Sequence, residues 1–483
     1  MKVFKDICVV GTELPALIAG RILQRKGARV HYFEHATYTQ FDPTICEFLS
    51  GIFIKPLMQR LGFHPHEIQQ MLPLDVPAQF ICKNKRINFF KDSSKLKKEL
   101  LREEVDGEIY TMLHRDLEKS YKVFFQIYQR EIQLFEKNFL FQKDLESKLK
   151  NKTSIQMLKM FPLDQMMAFY NLKPGYAHFI KSLELVFSYY LSEYSNHSRF
   201  THLTHLLQDY GYYSILGQYG LKQKLKSHLK EKGAVFDTFS SIEKIHRSGN
   251  KIHRIHFQGS STQDIEFSKL VINGSANGFI AYQPEDKKIQ SLAHEPHLYK
   301  TGKRLYFLYK IHKSYLPLGI RTQGVVFPKN IEIDDTEKRK FPRVIRYMLH
   351  LPNQQATDYK TYLNRLEKDY ALLAITYFVS NDFALNEQKI KHEIFHTMSR
   401  FIPFFIEKNV SLIQSYVPTE KPMPGDLRQG FIYASRKNEN IGLAGNPIET
   451  DFKNVWNCNE SNFPTIGLDG QILTGDQLAQ MLS

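Results

Sequence analysis

Cysteine is scarce in this chain of 483 residues, and its four cysteines lie far apart: Cys8, Cys46, Cys82 and Cys458. No two of them form a Cys-x-x-Cys pair, and their spacing fits no familiar set of zinc ligands. A disulfide scaffold and a structural zinc site are therefore not expected. Such sparse cysteine usage is typical of a reducing compartment, which predicts a cytoplasmic setting.

Long apolar runs are missing as well. No run approaches the roughly 18 apolar residues that a membrane-spanning helix requires. The first twenty residues contain an apolar stretch, but Asp6 and Glu13 interrupt it, which argues against a signal peptide. Because the chain has an ordinary 42% of hydrophobic residues and is too long for one hydrophobic core, we expect two globular domains.

Negative charge is in short supply, since Lys and Arg outnumber Asp and Glu by 15. A basic balance is typical of proteins that contact nucleic acid or an anionic membrane, and it also arises for solubility alone. The lysines are spread through helical segments, and no nucleic-acid-binding module is recognisable. We therefore expect no nucleic acid partner. A peripheral contact with the inner face of a membrane stays open, as does the oligomeric state.

Familiar catalytic motifs are also absent. The sequence has no Gly-x-Ser-x-Gly elbow, no P-loop and no His-Glu-x-x-His pair, so hydrolase and kinase chemistry have no support. His197, His202 and His205 lie close together in sequence, but no carboxylate or cysteine completes a metal triad with them. We therefore expect no metal, and spacing alone nominates no catalytic side chain.

The first 34 residues have the pattern of a strand, a helix and a second strand. Residues 6–10 are a short apolar run that ends at a glycine, which is typical of a strand buried on both faces. Residues 14–26 carry apolar side chains at helical spacing, with Pro15 in the first turn, where its missing N–H costs nothing. Residues 29–33 predict the second strand, which ends at Glu34. This order predicts a dinucleotide-binding unit.

The turn after the first strand departs from the glycine-rich pattern Gly-x-Gly-x-x-Gly. Gly11 stands at the first glycine position and Ala16 is a tolerated substitute at the third, whereas Glu13 replaces the second. Glu34 follows Gly11 at about the spacing of twenty that is expected for a carboxylate that binds ribose hydroxyls. We predict that Gly11, Thr12, Ala16 and Glu34 contact the cofactor in this unit. The alternative is a nucleotide-free unit in which Glu34 is a solvated strand end.

The carboxylate of Glu13 opposes a bound pyrophosphate. At about 4 Å, each pair of like charges costs ~1 kcal/mol in water and up to ~4 kcal/mol at an effective dielectric of twenty. A nanomolar ligand has about 12 kcal/mol of binding energy, so repulsion alone weakens binding without abolishing it. The Cβ of Glu13 adds a steric cost. Alternatively, the carboxylate lies at the helix N-terminus as an internal anion, and the protein itself then fills the phosphate site.

Two later segments decide which family the chain resembles. Residues 211–277 pass from the turn YSILGQYG through the basic helix LKQKLKSHLKEK to strands, a turn at 248–250 and the buried strand in FSKLVINGSAN. Residues 440–483 contain LAGN, which ends at Asn446, and then LDGQILTGDQLA, which opens a last helix. Together with residues 6–34, these segments resemble the FAD-dependent phytoene desaturase and flavin amine oxidase superfamily over nearly the full length.

This resemblance implies an α/β fold, with a Rossmann-like FAD-binding domain built on a parallel sheet and an α+β substrate domain built on an antiparallel sheet and helices. The FAD-binding domain would comprise residues 1–75, 211–290 and 435–483, and the substrate domain residues 76–210 and 291–434. In the family, the residue that matches Ile242 meets the adenine edge through its backbone. The resemblance, with the turn described above, nominates these cofactor-binding residues: Gly11, Thr12, Ala16, Glu34, Ile242, Asn446 and Gly470.

The leading functional prediction is an FAD-dependent oxidoreductase. Such an enzyme exchanges hydride between the flavin and a substrate, here a lipophilic polyene, isoprenoid or lipid, or an amine. Two departures favour a non-catalytic binding protein that has lost FAD: Glu13, and the lack of the family's glycine doublet after Glu34, where only Gly51 is near. Rab GDP-dissociation inhibitors share the fold and bind prenylated partners, and the likeness to them is one of architecture.

The remaining segments are expected to build the substrate domain. Residues 94–210 are predicted to be mainly helical, with an apolar stripe from Leu117 to Phe139 that indicates core packing more than a polyene-binding face. Apolar and β-branched residues predict strands, and apolar residues at helical spacing predict a helix that Pro403 closes. These segments are residues 304–312, 342–351 and 371–379 for the strands and 390–402 for the helix.

Overall fold

The computed structural model describes residues 3–102, 115–116, 118, 184–191, 212–435 and 445–483. The gaps inside these ranges are residues 70–71, 74, 83–84, 214–216, 296, 328–343, 352–365, 382–385 and 420. The predicted stripe from Leu117 to Phe139 and the histidines at 197, 202 and 205 lie outside the described residues.

Strands and helices alternate near the ends of the chain, and strands dominate its middle. In chain order the strands are β1 (Val3–Val10), β2 (Val30–His35), β3 (Leu72–Pro73), β4 (Ala78–Cys82), β5 (Lys85–Phe89), β6 (Tyr212–Tyr213), β7 (Val235–Phe239), β8 (Ser241–Ser248), β9 (Lys251–Gln258), β10 (Asp264–Asn273), β11 (Leu298–His312), β12 (Gln323–Phe327), β13 (Val344–His350), β14 (Tyr370–Ser380), β15 (Val410–Tyr416), β16 (Phe431–Ser435) and β17 (Val455–Cys458). The helices are α1 (Leu14–Arg25), α2 (Thr37–Gln40), α3 (Ile54–Leu61), α4 (Pro65–Gln69), α5 (Ser93–Arg102), α6 (Gly217–Glu231), α7 (Ala276–Ile280), α8 (Lys287–Gln290), α9 (Glu387–Ser399) and α10 (Gly467–Leu482).

The first sheet is largely parallel and has the order β7-β2-β1-β10-β9-β8, with β17 also beside β10. Parallel pairing joins β7, β2, β1, β10 and β17, whereas β8 and β9 are antiparallel additions at one side. Residues 7–10 of the central strand β1 are all buried, so both faces of the strand are covered there, as their apolar run predicts. Helix α1 lies over one face, where Leu14, Leu17 and Ile18 share a core with Ile472 and Leu478 of α10.

The second sheet has the order β15-β11-β14-β13-β12-β4-β5, with β16 also beside β11. Its neighbours are antiparallel except for β12 and β4. One face packs on α9 through Ile390, Ile394 and Met398, and the other face contributes Leu308 and Met348 to the core of the first sheet. The two sheets therefore share a core, and the predicted α/β fold is confirmed.

The predicted elements of this second sheet are found close to their expected positions. The strands predicted over 304–312 and 371–379 lie within β11 and β14, and the strand predicted over 342–351 contains β13. The helix predicted over 390–402 overlaps α9, which begins at Glu387 and ends at Ser399. The predicted domain boundaries stay a prediction. Among the described residues, no helix has the length and apolar character to span a bilayer.

Candidate cofactor site

The turn after β1 is held tightly by neighbouring backbone. Gly11 has a φ of 107°, a conformation that glycine adopts readily and other residues rarely. Its N–H donates to the carbonyl of Phe33 at 2.8 Å, and an added Cβ would lie 1.9 Å from the carbonyl oxygen of Asn273. The first glycine of the motif is thus required by packing of the chain on itself, whether or not a phosphate binds.

An apolar side chain from residues 425–429 covers the same turn. The Cδ1 atom of Leu427 lies 3.2 Å from the position that a Cβ of Gly11 would take, and Leu427 is fully buried. Two backbone hydrogen bonds fasten the segment: Ser275 N–H donates to the Leu427 carbonyl at 2.8 Å, and Gly425 N–H donates to the Gly278 carbonyl at 2.9 Å. The side of Gly11 on which a Cβ would lie is therefore packed against Leu427 and the backbone of Asn273.

Glu13 stands where a dinucleotide site has its second glycine, and its carboxylate is buried. Glu13 is the N-cap residue of α1, but its side chain makes no capping hydrogen bond to that helix. Instead it accepts from the ammonium of Lys222 at 3.2 Å, and Lys222 also lies 2.7 Å from Asp42. The Lys222 ammonium lies 4.9 Å from the ring centre of Tyr38. A lysine, rather than the helix N-terminus, is the cation that neutralises this internal anion.

Helix α6 delivers a second lysine to the same place. Residues four apart lie on one face of a helix, so Lys226 follows Lys222 there and reaches Glu34 at 2.5 Å. Leu221 and Leu225 occupy the adjoining face and are fully buried in the core. Sequence reasoning noticed the basic helix but missed that two of its lysines turn inward. In the sequence, both lysines directly follow a core leucine, and this position could have indicated that they are buried.

The carboxylate of Glu34, which was expected to bind ribose hydroxyls, accepts hydrogen bonds from the protein instead. It accepts a hydrogen bond from the Thr12 hydroxyl as well as from Lys226. Burial would raise the pKa of Glu34, but the ammonium groups of Lys226 and Lys222 outweigh burial, and the pKa is lowered. Thr12, Glu34 and Lys226 therefore form one hydrogen-bonded group.

The buried charges beside Glu13 are unequal in number. Burial raises the pKa of Glu13 in spite of Lys222, whereas Lys222 outweighs burial at Asp42 and lowers its pKa. The two lysines, Lys222 and Lys226, thus face three carboxyl groups, those of Glu13, Asp42 and Glu34. Among the residues that the structure describes in this cluster, the lysines are outnumbered, so none is left over for a further anion.

Two of the other predicted contacts are core residues. Ala16 is buried in α1, and its carbonyl accepts a hydrogen bond from the Tyr32 hydroxyl at 3.2 Å. Ile242 begins β8, opposite Phe257 of β9, and its side chain lies in the core of the first sheet. Ala16 thus lies on the helix that follows the Gly11 turn, while Ile242 lies on an edge strand of the sheet.

Asn446 is held by its own surroundings. Its side-chain amide donates to the Ser461 hydroxyl at 3.1 Å, and its side-chain oxygen accepts from the backbone N–H of His297 at 3.2 Å. It lies at the rim of a polar surface pocket lined also by Asn277 and Asn459. Both ends of the Asn446 amide are already used within the chain.

A parallel strand that sequence reasoning missed lies between Asn446 and α10. Residues 443–444 lie outside the described residues, and Asn446 belongs to no strand. Val455–Cys458 forms the parallel strand beside β10, so Asn459 and Glu460 are the residues that follow it. The strand is short and contains Asn457, which hid it from a search for apolar runs.

The start of α10, with Gly470, is covered by other parts of the chain. A Cβ on Gly470 would lie 2.0 Å from the carbonyl oxygen of Phe463, and one on Gly467 would lie 2.0 Å from that of Phe187. The buried carboxylate of Asp469 accepts from the backbone N–H groups of Ile52 and Phe53, at 3.1 and 3.2 Å. These glycines therefore serve close packing between segments of the chain.

A second buried charge network lies between the two sheets. The carboxylate of Glu47 accepts from Arg304 at 2.6 Å, from the Tyr306 hydroxyl at 2.8 Å and from Arg346. Arg304 also pairs with Glu460, so two arginines meet two glutamates. Sequence reasoning missed this network, although a charged residue inside an apolar strand, such as Arg304 or Arg346, is a signal for a buried partner.

Glu460 is expected to make stability depend on pH. Burial raises its pKa to about 7, although Arg304 opposes the shift. The folded state then holds this proton more tightly than the unfolded chain, so stability falls as the pH rises from about 4.5 to about 7. We expect the thermal midpoint of the wild type, relative to Glu460→Gln, to decline across that window and then to level off.

The control for this series is Glu285→Gln, which changes an exposed carboxyl group in a loop. Thermal midpoints measured in half-unit pH steps provide the comparison. A difference between wild type and Glu460→Gln that is constant from pH 4 to pH 8 contradicts a raised pKa at this carboxyl group.

Comparison with known proteins gives structural relatives and no sequence relatives. No family model and no curated protein sequence matches the chain. Rab GDI from Plasmodium falciparum aligns with a TM-score of 0.53 and 10% identity, over 98% of this chain and 97% of that one. An oxidoreductase from Methanosarcina mazei gives 0.51 and 11%, over 99% and 100%. Putrescine oxidase bound to putrescine gives 0.51 and 11%, over 100% and 99%.

These identities are too low to carry function from one protein to another. The alignments nevertheless span nearly the whole of each chain, including both sheets. The chain therefore has the fold that oxidoreductases such as putrescine oxidase share with Rab GDI.

Proposed function

We propose that this chain is a non-catalytic binding protein built on the flavin oxidoreductase fold. The observation that carries the proposal is the buried Glu13–Lys222–Asp42 cluster at the turn where a dinucleotide places its pyrophosphate. Rab GDI, one of the structures similar to this one, is not named as an oxidoreductase. The fold therefore also occurs in proteins that carry a different kind of name.

The residues at the turn do not fit FAD. A pyrophosphate needs free backbone N–H groups and positive charge at the N-terminus of the first helix. In this chain Leu427 covers Gly11, and the nearest cation, Lys222, already lies within 3.2 Å of two carboxyl groups. Bringing two phosphates next to Glu13 would add like charges in a buried setting, where each pair costs ~1–4 kcal/mol.

The ribose side gives the same result. A ribose hydroxyl would have to share Glu34 with the Thr12 hydroxyl and with the Lys226 ammonium at 2.5 Å. The start of α10 packs against Phe187 and Phe463, and its Asp469 accepts from the backbone of residues 52–53, which argues against an open helix end for a flavin carbonyl. At the Gly11 turn, at Glu34 and at the start of α10, the expected cofactor contacts are thus made by other parts of the chain.

A flavin-dependent oxidoreductase is the second candidate function. It is favoured by the strand–turn–helix unit with Glu34 beside Thr12, and by the similarity in fold to putrescine oxidase and the Methanosarcina oxidoreductase. In this interpretation the substrate would be a lipophilic polyene, isoprenoid or lipid, or an amine. FAD would then have to displace the Lys222 and Lys226 ion pairs.

The visible spectrum of the purified protein distinguishes the two functions. We expect the wild type to be colourless and to leave the fluorescence of added FAD unchanged. We expect Glu13→Gly combined with Leu427→Ala to bind FAD at least about tenfold more tightly than wild type, because it removes one like charge, worth ~1–4 kcal/mol per pair, and the covering side chain.

Glu285→Gly, a change of an exposed glutamate, is the matched control and should behave as wild type. Yellow protein with a bound flavin spectrum as isolated would refute the proposal in favour of the oxidoreductase. If the double variant folds and still ignores FAD, the turn is not a former phosphate site.

A further inference from the structure

One end of the second sheet exposes large apolar side chains. Neighbouring strands run antiparallel, so the carboxyl ends of β11 and β13 lie beside the amino ends of β14, β12 and β15. Leu318, in the loop after β11, is 99% exposed, and Phe404, in the loop before β15, is 53% exposed. Leu351, directly after β13, is 41% exposed. Large exposed apolar side chains that share one end of a sheet make that end a candidate site of interaction.

The loops that carry these side chains are held in place. The rings of Tyr315 and Phe404 lie 5.4 Å apart, which joins the two loops. Leu316 and Ile320 are partly buried against the core of the second sheet on either side of Leu318. The backbone N–H of Ile320 donates to the carbonyl of Pro317 at 3.2 Å, which closes a turn around Leu318. The exposure of Leu318 is thus a property of a packed turn.

Positive charge exceeds negative charge at this end of the sheet. The described cationic residues here outnumber the acidic ones by eight to five. The cationic residues are Lys91, Lys95, Lys310, Lys313, Arg321, Lys368, Arg400 and Lys408, and the acidic ones are Asp75, Asp92, Glu367, Asp369 and Glu407. This excess has the same sign as the chain's overall charge of +15.

We propose that this end of the second sheet docks on an anionic lipid bilayer. Leu318 and Phe404 would enter the boundary between headgroups and acyl chains, and the surrounding lysines and arginines would contact the headgroups. An exposed apolar side chain at an end of the sheet that carries an excess of cations matches a partner with an anionic outer layer and an apolar layer beneath it. The binding face does not include the Glu13 cluster and is independent of whether the chain holds a flavin.

Vesicle co-sedimentation with the full-length chain tests this proposal. The probes are vesicles of phosphatidylcholine alone and of phosphatidylcholine with about one third phosphatidylserine, a composition that supplies the negative surface potential. We expect binding to the mixed vesicles only, and weaker binding as the salt concentration rises. Leu318→Glu is expected to weaken the binding at least about tenfold, equivalent to 1.4 kcal/mol.

Met423→Glu provides the matched control, because Met423 is 63% exposed but lies in a segment that contacts α7 beside the first sheet. It should bind vesicles as the wild type does. Absence of binding to mixed vesicles, or binding that Leu318→Glu leaves unchanged, would overturn the proposal. A third result would also overturn it: the wild type is a dimer in light scattering, Leu318→Glu dissociates that dimer, and neither protein binds vesicles. The face would then bind a second copy of the chain.

Discussion

Replacing Lys222 by methionine is expected to destabilise the protein by ~3–5 kcal/mol, the cost of removing one partner from a buried ion pair. Lys222 is fully buried, and its ammonium lies between the carboxyl groups of Glu13 and Asp42. Without it, these two groups face each other in the core with no cation between them. Chemical denaturation, followed by circular dichroism, measures the loss as a lower midpoint.

Two further variants make this result specific to the cluster. Lys230→Met changes an exposed lysine on the same helix and should lower the free energy of unfolding by less than ~1 kcal/mol. Lys222→Met combined with Glu13→Gln and Asp42→Asn should recover much of the loss, because the buried negative charges are then gone. A single Lys222→Met variant as stable as Lys230→Met would show that the lysine is not the counter-ion of Glu13.

Replacing Arg304 by methionine is expected to cost a similar ~3–5 kcal/mol by the same mechanism. Arg304 is fully buried in β11 and bonds to Glu47 and Glu460. Glu47 keeps Arg346 as a partner, whereas no other arginine or lysine is paired with Glu460 among the described residues. The loss should therefore be larger above neutral pH, where Glu460 must lose its proton, than below it.

The control for Arg304 is Lys310→Met, on the same strand. Lys310 pairs with Glu367 at the surface, where an ion pair contributes at most ~1 kcal/mol. Arg304→Met combined with Glu460→Gln should regain part of the lost stability and lose the dependence on pH. If denaturation midpoints of Arg304→Met and Lys310→Met are equal at pH 8, the network between the sheets adds nothing to stability.

These two clusters bear on the proposal that the chain keeps this fold without a flavin. A bound dinucleotide fills space and supplies charge between the sheets, and a chain without one would provide both from its own side chains. Here Leu427 packs against Gly11, and paired charges occupy the turn and the region between the sheets. The Lys222 and Arg304 variants test whether those pairs now hold the structure together.

The sequence by itself determined the local elements and the class of fold. A buried parallel strand needs a run of apolar residues, a helix needs apolar residues at its own period, and a sharp turn needs glycine; each of these is a short-range requirement. Hence β1, α1 and β2 were predicted within a few residues, as were β13, β14, α9 and the end of β11. The strand β17 escaped because four residues with an asparagine among them make no apolar run.

Only the tertiary structure decided what the predicted site residues contact. Glu13 and Lys222 are 209 positions apart, and Glu47 and Arg304 are 257 apart, so no spacing rule connects them. Whether a carboxylate repels a phosphate or binds a lysine depends on which distant side chain the fold brings to it. The sequence showed that Glu13 stands in the dinucleotide turn, and the packing of α6 across that turn supplied its partner, because buried charge must be paired where it lies.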